Sequence, residues 1–226
     1  MSTTAKQTIQ APSPEAEQWK AFECEMAERA EARIAALNLA DPKQVYLTAR
    51  EEIYIAYQER WGRTRKQCDS ATIIETSVMT THSYLSKQSP YGLLYTFGYG
   101  MLGASVIIEQ LVELGVAIYD IRFSPRSRVH KWRKPYLREW LGDSYRHLPA
   151  LGNVNYNQPG QNIELADPAT GVPLVAQPLR EGKHIALMCV CKEHDECHRS
   201  DAADEVLKQI SDAILIPFPA LEHHDS

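Results

Sequence analysis

The residues best able to do chemistry lie in one short segment, Cys189-Val-Cys191-Lys-Glu-His194-Asp-Glu-Cys197-His198-Arg199-Ser200. It holds three of the five cysteines, the others being Cys24 and Cys68. An odd, clustered set is a poor layout for a secreted disulfide framework and points to metal binding, redox chemistry or a nucleophile. Cys189 ends an apolar run, while Cys197-His198-Arg199 opens a helical pattern. A thiol at a helix N-terminus beside an arginine and a histidine ionises more readily. Cys189 and Cys197 are therefore candidate nucleophiles, with His198 as acid/base partner. Cys189, Cys191, Cys197 and His198 are equally a candidate zinc set, although Cys-x-Cys-x5-Cys-His departs from the usual paired Cys-x2-Cys spacing. The plainer reading makes Cys189 a core thiol. Arg199 at a helix start opposes the dipole and needs an anionic partner.

Two other segments suit anions. Gly98-x-Gly100-x-x-Gly103 sits between a predicted strand and a predicted helix, and Asp120 ends the next strand. Such glycines let backbone approach a pyrophosphate at the helix N-terminus, and Asp120 could orient a ribose hydroxyl or an arginine. The alternative is a sharp turn with no ligand. Further on, residues 121–138 contain Arg122, Arg126, Arg128, Lys131, Arg133, Lys134 and Arg138, with His130 and no acidic residue. Phe123, Trp132 and Tyr136 are interleaved. Guanidinium groups suit phosphate or carboxylate oxygens, and exposed rings can stack on bases. Arg122 and Arg126, just past the strand, are the candidate anion ligands; a solvated basic face is the plainer reading.

The elements that would position these segments are legible. Ser13-Pro14 opens a helix to Leu39, and Trp19, Phe22, Met26, Ala30 and Ile34 form one face. Asp41-Pro42 starts a second helix ending at Gly62, and a weaker third runs from Thr72 to Tyr84. Near residue 93 the pattern changes. Strands are predicted at 93–97, 116–121, 145–148, 185–190 and 213–216, and helices at 104–114, 135–141 and 198–209, with a long Gly-, Asn- and Pro-rich loop over 149–182. Strand, crossover helix and strand within about thirty residues argue a βαβ unit. The expected fold is α/β: a Rossmann-like three-layer domain with a mostly parallel sheet over 89–220, preceded by a helical N-terminal extension over 1–88. Ligands of such sheets sit beyond the carboxyl ends of the strands.

The chain has 226 residues, of which 24 are Lys or Arg and 29 are Asp or Glu, for a net charge of −5. This excludes a uniformly basic coat but not a local basic patch. No apolar run approaches the roughly 18 residues that span a bilayer, and the N-terminal residues lack an apolar signal region, so a cytoplasmic protein without membrane contact is expected. His223 and His224 sit in a tag-like tail and are left out of any site.

Together these residues resemble a family. Thr96-Phe97-Gly98-Tyr99-Gly100, Asp120-x-Arg122-x-x-Pro125-x-Ser127, His147-Leu148-Pro149-x-Leu151-Gly152, Leu187-Met188-Cys189 and Cys197-His198-Arg199-Ser200 look like domain of unknown function 488, over about residues 92–218. The resemblance implies a compact α/β fold with the motifs gathered at one site, and brings no activity. Cys191 stands where family members often carry an acidic residue.

The functional expectation is a phosphate-bearing ligand, either a nucleotide or a nucleic-acid end. Arg122, Arg126 and Arg199 would hold it, the Gly98–Gly103 turn would donate N–H groups, and the cysteines and His198 could support transfer or hydrolysis. One alternative is a non-catalytic nucleic-acid or protein adaptor with structural zinc. Another is a nicotinamide-dinucleotide oxidoreductase built on the glycine turn.

Overall fold

The structure, a computed structural model, describes residues 14–62, 70–101, 103–158 and 160–219. Ser13, Cys68 and the tail histidines lie outside them. The elements run α1 (Pro14–Leu37), α2 (Pro42–Trp61), α3 (Ser70–Ser86), β1 (Leu94–Gly98), α4 (Ala104–Glu113), β2 (Ala117–Asp120), α5 (Lys134–Leu141), β3 (Tyr145–His147), α6 (Pro168–Arg180), β4 (Ile185–Cys189), α7 (His198–Gln209) and β5 (Leu215–Pro217).

The five strands form one sheet in the order β3-β2-β4-β1-β5, and every pairing is parallel. β4, whose five residues Ile-Ala-Leu-Met-Cys are all buried, takes the centre. A parallel strand covered on both faces has to be apolar throughout. β1 and β2, predicted as a βαβ pair, are consequently not neighbours: β4 lies between them and α4 carries the chain across it.

Alternation along the strands feeds two cores. Tyr95, Phe97, Ile118, Ala186, Met188 and Ile216 join a cluster with Met26, Ile34, Val45, Ile53, Val78 and Ile107 of the helices. Leu94, Ile185, Leu187 and Cys189 point the other way, into Val172, Val175, Leu179, Ala203 and Val206 of α6 and α7. The N-terminal helices thus share a core with the sheet. α3 was faint in the sequence because it is rich in hydroxyls. Ser77, Thr80 and Thr81 are buried there, each donating to the carbonyl four residues back, at 2.5, 2.8 and 2.7 Å, which is how a helix hides such groups.

One element departs from the sequence reading: residues 168–180, expected within a loop, form α6. Pro173 and Pro178 lie inside it, and Gly171 near its start weakens the signal. Helix wins because Asp167 caps it, its Oδ1 accepting from Thr170 N at 3.1 Å, and because Val172, Val175, Ala176 and Leu179 make one buried stripe. Among the described residues no helix is long and apolar enough to cross a membrane.

Between α3 and the sheet, His82 Nδ1 and the Tyr95 hydroxyl are 2.7 Å apart, and His184 Nδ1 accepts from Leu93 N at 2.9 Å. Burial, aided by the neighbouring His184, pushes His82 down to about 4, and burial lowers His184 as well. The folded protein therefore binds fewer protons than the unfolded chain below about pH 6.5. Stability should be full above that pH and fall as pH drops toward 4. For half-buried groups we expect a loss on the order of 1 kcal/mol per histidine. Urea unfolding at pH 7.5 and 4.5 checks this: His82→Gln should shrink the difference, and an unchanged difference would refute it.

Candidate functional site

The carboxyl ends of β1, β4 and β2 lie side by side, so the three segments singled out above start at one edge of the sheet. Tyr99 N donates to Cys189 O at 3.0 Å, Gly100 N to Val190 O at 3.1 Å, and Ile121 N to Met188 O at 3.1 Å.

These same bonds account for part of the glycine turn. The N–H groups of Tyr99, Gly100 and Met101, expected to face an anion, are spent on carbonyls of this chain. The glycines are there for close packing. A Cβ on Gly98 would stand 1.6 Å from Cys191 O, and one on Gly100 would stand 2.5 Å from Val190 O. Gly103, with φ +75°, supplies the left-handed turn into α4.

Arg122 and Asp120 also serve each other. Asp120 is fully buried and Arg122 is 4% exposed. Arg122 Nε donates to Asp120 Oδ1 at 2.7 Å and Nη2 to Oδ2 at 2.5 Å, while Nη1 donates to Trp132 O at 2.9 Å and Tyr99 OH at 3.3 Å. Tyr145 OH adds a bond to Asp120 Oδ2 at 2.7 Å. Burial works against the guanidinium charge, but the Asp120 carboxylate more than offsets it and raises the pKa. Tyr99 stacks on Trp132 with centroids 4.9 Å apart, under the same guanidinium. Of its expected roles, Asp120 therefore takes that of orienting an arginine. Arg122 is a neutralised strut, not an open anion ligand.

Arg199 is fully buried. Its Nη1 donates to Cys191 O at 2.6 Å and Cys189 Sγ at 3.0 Å, and its Nη2 to Lys192 O at 2.8 Å. Nε has no partner. The groups that Arg199 meets are thus one sulfur and two backbone carbonyls. Cys189, Cys191 and Cys197 lie with their sulfurs within 4.8 Å of one another, Cys189 and Cys197 at 2.9 Å. Burial pushes Cys189 up to about 11, and hydrogen bonding to Cys189 and Cys191 raises Cys197 further. Cys191, the half-buried member, is pushed down to about 2 by hydrogen bonds from the other two thiols. Of the three thiols, Cys191 is the one nearer solvent, while Cys189 and Cys197 are buried. His198 Nε2 donates to Ile121 O at 3.3 Å, which leaves Nδ1 facing Cys197 Sγ at 3.7 Å. Burial lowers its pKa.

The outer half of the basic segment is different. Arg126, Arg128, Lys131, Arg133 and Arg138 are exposed, and no carboxylate among the described residues pairs with any of them. Pro125, Arg126, Ser127, Arg133 and Pro135 line a cavity of about 390 Å³. Arg126 reaches it; Arg122 and Arg199 do not. Arg133 and Ser127 were visible in the sequence as a member of the basic run and of a motif, but their place beside Arg126 was not, since only the fold-back that puts Arg133 Nε 2.9 Å from Ser127 O brings them together.

Fold and site thus define a parallel α/β domain with a thiol cluster and two buried arginines at the carboxyl edge of its sheet. Residues 106–206 match the family model described as Domain of unknown function DUF488. The match runs from within α4 to α7; it is shorter than the 92–218 expected and leaves out β1 and the glycine turn. No curated protein and no solved structure matches the chain.

Two substitutions test this packing. Asp120→Asn leaves the Arg122 charge buried without its partner and should cost about 3–5 kcal/mol in denaturant unfolding. Gly98→Ala should cost at least about 2 kcal/mol, because backbone has to move. Near-wild-type midpoints for both would show that these contacts are dispensable.

Proposed function

We propose that this protein binds a phosphate-bearing ligand, a nucleotide or a nucleic-acid end, in the cavity of Arg126 and Arg133. The observation that carries the reading is a concave site of ligand size, about 390 Å³, with two exposed guanidinium groups that no carboxylate among the described residues neutralises. Guanidinium forks match phosphate oxygens two at a time, and the rim prolines stiffen the backbone that carries them. Phe123 and Tyr156, both exposed with ring centroids 6.1 Å apart, begin and flank the same segment and offer surfaces on which a base can stack. This favours a nucleotide-type ligand over bare phosphate.

The thiols do not line the cavity. The function supported is therefore binding, without thiol-dependent transfer at this place. A nicotinamide role through the glycine turn has little to support it, because the donors at Tyr99 and Gly100 are engaged.

Isothermal titration with inorganic phosphate and with nucleoside mono- and triphosphates tests the reading. Wild type should bind a nucleotide more tightly than phosphate, and more weakly as salt rises. Arg126→Ala and Arg133→Ala should each weaken binding about tenfold, the equivalent of roughly 1.4 kcal/mol. Equal binding by wild type and both variants would overturn it.

A further inference from the structure

We infer that Cys189, Cys191 and Cys197 form a binding site for one borderline-soft divalent cation of the zinc class, with Arg199 as its fixed counter-charge. This site is separate from the Arg126–Arg133 cavity, and neither requires the other.

Charge carries the argument first. Arg199 is fully buried, and among the described residues its guanidinium meets one sulfur and two carbonyls but no carboxylate. An uncompensated buried cation is costly, so negative charge has to reside on the sulfurs beside it. Three thiolates around a divalent cation carry a net charge of −1, and one guanidinium brings the buried assembly to neutrality.

Geometry agrees. Sulfurs of a tetrahedral zinc site, at about 2.3 Å from the metal, stand about 3.8 Å apart. All three sulfurs here lie within 4.8 Å of one another, and the Cys189–Cys197 pair, at 2.9 Å, needs to open by about 1 Å. The ligands come from rigid places: Cys189 ends the central strand, Cys197 caps α7, and Cys191 is held by its carbonyl to Arg199 and by its N–H to Cys189 Sγ at 3.3 Å. Two N–H groups therefore point at the Cys189 sulfur, the arrangement that orients and tunes a metal thiolate. His198 Nδ1 lies 3.7 Å from Cys197 Sγ but outside the group of mutually close ligand atoms. Three sulfurs hold the ion, and the fourth position is left to solvent or an added ligand. An all-sulfur set selects zinc or its thiophilic analogues over magnesium or calcium. On binding, thiol protons leave to solvent and no electron is transferred.

The experiment is cobalt(II) titration of the reduced, metal-stripped full-length protein, with elemental analysis of the protein as purified. We expect thiolate-to-cobalt charge-transfer absorption that saturates at one equivalent and is abolished by one equivalent of zinc. Cys191→Ser, a half-exposed position that should leave the fold intact by circular dichroism, should weaken binding at least tenfold. Cys24→Ser should change nothing. A spectrum without the charge-transfer band would overturn the site, as would equal affinity in the Cys191→Ser and Cys24→Ser proteins. So would a Cys189–Cys197 disulfide in freshly purified protein that takes up no metal after reduction.

Discussion

A guanidinium group taken out of water must find its counter-charge inside the protein. This chain sets itself that problem twice at one edge of its sheet, with Arg122 and Arg199 both buried. Arg122 solves it with Asp120, two residues back on the same strand end. Arg199 has no carboxylate among the described residues and turns to sulfur and to the carbonyls of residues 191 and 192. Much of the local architecture follows. Gly98 lacks a side chain so that the loop carrying Cys191 can lie against it. Tyr99 folds over Arg122 onto Trp132, and His198 ties the start of α7 to Ile121.

The sequence made some of this plain. α7 was placed at its observed residues, because a polar cap region followed by Ala202, Ala203 and Val206 has unmistakable helical spacing. The strands were recognisable as short apolar runs, and the meeting of basic and thiol-rich segments followed from both lying just past strand ends. The order of the strands was not legible: that β4 separates β1 from β2 is a tertiary outcome of its complete burial. α6 was hidden by its own prolines, whose local preference was outweighed by a four-residue apolar stripe.

Site residues were legible by type but not by role. A run such as Arg122 to Arg138 reads as one basic segment, yet its first arginine is an internal strut and its later ones face solvent. Periodicity cannot reveal this, since Arg122 is buried through a partner only two residues away. In the same way a G-x-G-x-x-G pattern states that backbone comes close to something. Here the nearest thing is the protein's own 189–191 backbone.

Internal compensation of the inner cations is why the proposed anion site falls to the outer arginines. Crystals of the wild-type protein grown with pyrophosphate, refined with difference density, test this division most directly. The account predicts an anion between Arg126 and Arg133, with the Arg122–Asp120 and Arg199–sulfur contacts unchanged. An anion seated on the Gly98–Gly103 turn or against Arg199, with those contacts broken, would contradict it.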